Sequence, residues 1–189
     1  MYRIYVDNEL FSDSRIDELI LINPVVTLEA NNPGSFSFTI PAEHPKKDLI
    51  KKRKSIITVF RKEENTPVFQ GFCVEETQDF NRQRKIKCEG ELSYLNDSIQ
   101  RQARYQGVTM LELFTSYIEN HNSQVDDYKR FEIGDVTVTD PNDYIYCFTN
   151  MQSTMTEIKE DLVDDYGGFV RVRPENGKKY ILSLIHISE

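Results

Sequence analysis

The chain has 189 residues and a mass of 22.1 kDa, is 39% hydrophobic and 29% charged, and carries a formal charge of −8. That length buries a real core, and 10 Tyr with 11 Phe exclude disorder, collagen and coiled coil. The longest apolar runs are of the Leu19–Ile22 kind, too short for a membrane helix, and Met1–Ser12 lacks the basic-then-apolar pattern of a secretory leader.

The charge is unevenly placed. Residues 1–108 hold 16 Lys+Arg against 16 Asp+Glu, and residues 109–189 hold 7 against 15. The step suggests a domain boundary near residue 108, and the acidic surplus argues against general nucleic-acid binding. Cys73, Cys88 and Cys147 are odd in number and widely spaced, which suits buried, reduced thiols better than disulfides or zinc.

In chain order, strands are predicted at Tyr2–Val6, Val25–Ala30, Ser35–Ile40, Ile56–Phe60, Val68–Thr77 and Lys85–Glu91. Asn31-Asn32-Pro33-Gly34 supplies a turn, and strict alternation puts Phe36, Phe38 and Ile40 on one face. The basic stretch His44–Lys54 reads as a solvated connector or, functionally, as a contact for an acidic partner. Such strands imply an antiparallel barrel or sandwich.

After Gly107 the pattern turns helical. Thr109-Met-Leu-Glu112 is a capping box that opens a helix with Met110, Leu113, Phe114, Tyr117 and Ile118 on one face. A second box, Thr154-Met-Thr-Glu157, opens a helix with Met155, Ile158, Leu162 and Tyr166 as its stripe and Gly167-Gly168 as its end. Strands are predicted at Arg130–Thr139, Tyr144–Thr149 and Phe169–Arg173. The fold class expected is α+β: an antiparallel β-barrel or sandwich domain at 1–106, then a smaller α+β domain at 107–181.

Candidate chemistry is sparse. His44, His121 and His186 read as structural, and no hydrolase, zinc-protease, P-loop or dinucleotide motif occurs. The acids Glu157, Glu160, Asp161, Asp164 and Asp165 form i,i+4 pairs expected opposite the apolar stripe, on a solvated face. Their like-charge spacing and their place late in a helix are unfavourable, and a basic partner surface would relieve both. No catalytic, cofactor or metal residue is assigned.

The run Val26-Thr-Leu-Glu-Ala-Asn-Asn-Pro-Gly-Ser-Phe-Ser-Phe-Thr-Ile-Pro41, with His44-Pro45, Phe69-Gln-Gly-Phe72, Cys88-Glu-Gly-Glu-Leu92 and Leu95-Asn-Asp-Ser98, resembles the amino-terminal hub region of the prophage tail endopeptidases. These tail-associated lysins belong to siphophages and prophages of Gram-positive bacteria. The resemblance implies a tail-tube-like barrel followed by a smaller, incomplete α+β domain, in a homotrimeric ring that closes the tail tube. It further implies contacts with the distal tail protein and the tape-measure protein, assembly in the host cytoplasm and residence in the virion tail, without membrane insertion. Some of Glu157, Glu160, Asp161, Asp164 and Asp165 are then expected at the lumen, where repulsion keeps DNA from sticking, or at an interface. No peptidase motif is matched, so no enzyme activity is expected of this stretch. The alternatives are the anchoring part of a cell-wall endopeptidase, or a glycan-binding module using exposed tyrosines such as Tyr105, Tyr144 and Tyr146. The last eight residues, Leu182–Glu189, match the translation of a transposase adapter, so 182–189 is an expected adapter-derived tail and the gene an expected truncation.

Overall fold

A computed structural model describes residues 2–61, 64, 66–142 and 144–185. The chain folds into two compact units, one of residues 1–29 and 33–91, the other of residues 30–32 and 92–189. No described helix is long and apolar enough to cross a membrane.

The first unit is a seven-stranded antiparallel sheet. Its strands are β1 (Tyr2–Val6), β2 (Glu9–Asp13), β3 (Ile22–Thr27), β4 (Ser35–Ile40), β5 (Ile56–Arg61), β6 (Pro67–Gln78) and β7 (Arg84–Gly90), in the order β2-β1-β5-β6-β7-β4-β3. The meander β5–β6–β7 sits at the centre, with the hairpin β1–β2 on β5 and the hairpin β3–β4 on β7. Asn31 and Gly34, in the turn between β3 and β4, both take positive φ, 58° and 71°, as the Asn-Asn-Pro-Gly signal requires. Pro24 is tolerated because β3 is an edge strand whose register shifts between Ile22 and Val25.

The sheet is strongly curled. A flat sheet would separate β2 and β4 by five strand spacings, roughly 24 Å. Yet the rings of Phe11 on β2 and Phe38 on β4 are 6.3 Å apart. They meet in a core with Ile4, Val6, Phe36, Ile40, Ile57, Val59, Phe69, Cys73, Ile86 and Cys88, the inward set of the alternating strands. Because β2 and β3 remain edges, unpaired with each other among the described residues, the expected barrel is a half-barrel. A closed barrel needs a ladder between first and last strands, which here gives way to side-chain packing.

The basic stretch His44–Lys54 forms turns rather than a helix. Arg84 on β7 anchors it: its guanidinium donates to Lys47 O and Ile50 O and pairs with Glu76 at 2.8 Å. Lys46 Nζ reaches Leu10 O and Glu9 Oε1, both at 2.6 Å. At Lys46 the basic charge is therefore spent inside the chain.

The second unit holds β8 (Ala103–Val108), α1 (Met110–Gln124), β9 (Glu132–Val136), β10 (Ile145–Thr149), α2 (Thr154–Glu157), β11 (Phe169–Glu175) and β12 (Lys178–Leu184). Strands β8 and β10 form a two-stranded ribbon, and β11-β12-β9 a three-stranded sheet in which β12 and β9 run parallel. The capping box at Thr109 forms as expected, its hydroxyl accepting from Glu112 N while Glu112 caps Thr109 N. The expected stripe of α1 is buried, and His121 joins it. Leu182–Leu184 lie in β12, with Leu182 and Ser183 buried. Residues 186–189, His186 included, lie outside the described residues.

Candidate functional site

The five acids lie on a helix that changes pitch. Its N-cap is Ser153, whose hydroxyl accepts from Thr156 N at 3.2 Å, one residue earlier than the expected cap at Thr154. Thr154 is instead fully buried and hydrogen-bonded to Ser98. After α2 the chain widens into a π-helical turn over Ile158–Asp164, a feature frequent where helices carry function.

The acids do not share one face. Glu157, expected on the solvated face, is 1% exposed, with Oε1 accepting from Asn150 N at 2.8 Å and Gln152 N at 3.4 Å. It satisfies two backbone N–H groups of the loop that enters the helix. Asp161 is half-buried and accepts from the Tyr117 hydroxyl at 2.6 Å. Burial raises its pKa to about 6; the Tyr117 bond opposes the rise, and Glu157 and Asp165 add to it. Glu160 is exposed and accepts from Gln152 Nε2, while Asp164 and Asp165 are exposed. Two acids therefore organise the interior, and three face solvent. Among the described residues no group of three or more His, Cys, Asp or Glu converges to hold a metal.

Beside this helix lies a Ser–His pair invisible in the sequence. His121 Nδ1 is 2.7 Å from Ser98 Oγ, Ser98 Oγ is 2.6 Å from Thr154 Oγ1, and Gln100 Nε2 donates to Thr154 Oγ1 at 2.8 Å. Because Nε2 faces the Lys129 carbonyl at 3.2 Å, Nε2 carries the proton and Nδ1 accepts from Ser98. Contact between nucleophile and base has the form of catalysis, but Ser98, His121 and Thr154 are all at most 1% exposed. No substrate atom reaches them, and the network fastens α1 to α2. His44 is likewise buried, stacked at 4.7 Å on Phe11. In the first unit, a cavity of about 440 Å³ is lined by residues such as Ile4, Leu21, Val26, Phe36 and Val59. It contains no His, Cys, Lys or carboxylate.

The β8–β10 ribbon has two unlike faces. Tyr105 and Cys147 point inward, Tyr105 bonding Ser116 at 3.0 Å and Cys147 lying 3.7 Å from the Tyr117 hydroxyl. Alternation turns Arg104, Gln106, Tyr146 and Phe148 outward, all exposed. Tyr144 joins them, its ring over Gly107, where a Cβ would come within 3.0 Å. Of the tyrosines singled out in the sequence, Tyr144 and Tyr146 are exposed and Tyr105 is half-buried. Phe148 and Arg104 escaped notice, although the period-two run Tyr144-x-Tyr146-x-Phe148 encodes the strip.

No protein-family model matches the chain, and no curated protein matches it. Solved structures do. The tail protein from Neisseria meningitidis MC58 superposes with a TM-score of 0.63 at 13% identity, over 95% of this chain and 50% of that one. The 43 kDa tail protein of prophage MuSo2 from Shewanella oneidensis gives 0.61 at 12%, over 97% and 52%. Prophage tail protein gp18 from Listeria monocytogenes EGD-e gives 0.56 at 15%, over 96% and 50%. The chain thus has the fold of phage tail proteins and spans about half the length of those it matches.

Proposed function

We propose that the chain is a structural component of a phage or prophage tail, in a homotrimeric hub ring that closes the tail tube and anchors lytic or receptor-binding modules. The observation that carries this reading is the likeness to three tail proteins, two of them from prophages, over 95–97% of the chain. Two further features favour it. The half-barrel keeps β2 and β3 as open edges, which suit pairing with neighbours. Buried His44 and His121, and the uncharged cavity of the first unit, suit a scaffold better than a catalyst.

In this reading the division after residue 91, rather than near the expected 106, separates a tube-like domain from an α+β domain. The distal tail protein and the tape-measure protein are the neighbours, and the segment has no catalysis of its own. The test is placement in the particle. Antibody raised against the chain should label the tail tip in electron micrographs of intact phage, and light scattering on the chain should give three copies per particle. Unlabelled tails would overturn the assignment, and release of muropeptides from cell walls by this chain would overturn its non-enzymatic part.

A further inference from the structure

The outward face of the β8–β10 ribbon is aromatic and carries Arg104, which forms no ion pair among the described residues. Tyr144, Tyr146 and Phe148 are 58%, 49% and 49% exposed, a concentration of aromatic surface that marks an interaction site. The Arg104 guanidinium lies 5.1 Å from the Tyr146 ring centroid and 5.8 Å from that of Phe148. Its hydrogen bond goes to Gln106 at 3.2 Å, and among the described residues it meets no carboxylate. Stacking holds the guanidinium in place without neutralising it.

The rings of Tyr146 and Phe148 meet edge to face, 5.2 Å apart at 87°. Perpendicular rings present ridges and slots rather than a flat plate, which suits protein side chains better than the face of a sugar. The cation asks for an acid. The same unit supplies exposed acids without ion pairs among the described residues: Glu160, Asp164 and Asp165 on the helical turn. Within one chain the helical turn adjoins the inward side of the ribbon, because the Tyr117 hydroxyl reaches both Cys147 of the ribbon and Asp161 of the turn. The outward face therefore points away from them, and a second copy can bring its acids where the first cannot.

We propose that the aromatic face of the ribbon docks the acidic helical turn of a second copy of this chain. Arg104 of one copy pairs with Glu160, Asp164 or Asp165 of the next, while Tyr144, Tyr146 and Phe148 cover the turn. The guanidinium also meets the carboxyl end of the helical segment, where a cation is favoured and the late acids are otherwise destabilising. The two surfaces differ, so the contact is head-to-tail, the kind that closes into a ring. This inference rests on the proposed role in a tail ring and supplies the surface that role needs.

Sedimentation velocity on the 189-residue chain tests it, from micromolar to millimolar concentration and at low and high salt. Reversible self-association is expected, stronger at low salt. Arg104→Glu should weaken it about tenfold or more, as should Tyr146→Ala with Phe148→Ala. Asp164→Lys with Asp165→Lys should weaken it similarly, and adding Arg104→Glu to that pair should restore it. The restored combination guards against loss of folding, because a misfolded variant would not regain affinity. A monomer at every concentration would overturn the proposal. So would association indifferent to these variants, or binding of purified wall polysaccharide through the strip without self-association. Tail-tip labelling with indifferent variants would discard this surface and leave the tail assignment standing, whereas unlabelled tails would discard the assignment itself.

Discussion

The hydroxyl of Tyr117 on α1 donates a 2.6 Å hydrogen bond to Asp161 in the π-helical turn, inside a cluster that also holds Glu157 and Cys147. Burial and the neighbouring acids hold the Asp161 pKa at about 6, above the ordinary 3.8. A raised carboxyl pKa contributes stability that is fully present below about 3.8 and lost as pH rises through about 6. Asp161→Asn, which keeps an acceptor for Tyr117, should therefore be more stable than the parent near neutral pH. The gap should close as pH falls towards about 4. Denaturant midpoints across this range read it directly, and a pH-independent gap would refute the coupling.

Asn31 makes two hydrogen bonds to the start of β11, donating to Gly168 O at 3.2 Å and accepting from Val170 N at 2.7 Å. It does so from positive φ, 58°. Asn31→Ala loses both bonds and strains the backbone, so a cost of about 2 kcal/mol is expected, whereas Asn31→Gly loses the bonds alone and should cost less. Equilibrium unfolding of the two variants separates the contributions.

His121 should be neutral with its proton on Nε2, a state that long-range nitrogen–proton NMR identifies. Burial lowers its pKa below 6.5, so its contribution is present above about 6.5 and lost as pH falls, opposite in sign to Asp161. Ser98→Ala strands Nδ1 in the interior and should cost about 1–3 kcal/mol.

Cys73 on β6 and Cys88 on β7 stand directly opposite each other, both buried, and burial pushes both thiols up. Cys147 is half-buried on the ribbon. A thiol reagent should modify Cys147 first and leave Cys73 and Cys88 untouched until the first unit unfolds. Equal labelling of all three in the native protein would contradict this packing.

Much of the fold was legible because period-two alternation and turn chemistry are local. Strands β1, β4, β5, β6 and β7 lie within a few residues of the runs that announced them, as do α1 and its cap. Strand β2 was missed because Phe11, Ser12 and Asp13 are buried consecutively, which breaks alternation. Strand β8 was missed because Ala103–Val108 is half-exposed and polar. The half-barrel was illegible because curl depends on Phe11 meeting Phe38, a contact no local pattern announces. Glu157 was misplaced because helical periodicity reads faces and not loop capping: it put Glu157 outside, whereas Glu157 reaches back to accept from Asn150 N and Gln152 N in the loop before the cap at Ser153. The Ser98–His121 pair joins residues 23 positions apart through tertiary packing alone.

The arrangement of the first sheet also sets an order of assembly. Adjacent strands pair within each hairpin and within the β5–β6–β7 meander, whereas the β1–β5 and β4–β7 ladders each bridge more distant stretches of chain. Short loops close first, so the meander and the two hairpins form early and dock afterwards on opposite edges. Phe11 and Phe38 belong to different hairpins and can touch only after both have docked. Their contact is thus a late event in folding, and Phe11→Ala should chiefly accelerate unfolding while leaving the refolding rate nearly unchanged. The residue that closes the curl then acts as a latch on the finished sheet, setting how long the native state lasts rather than how quickly it is reached.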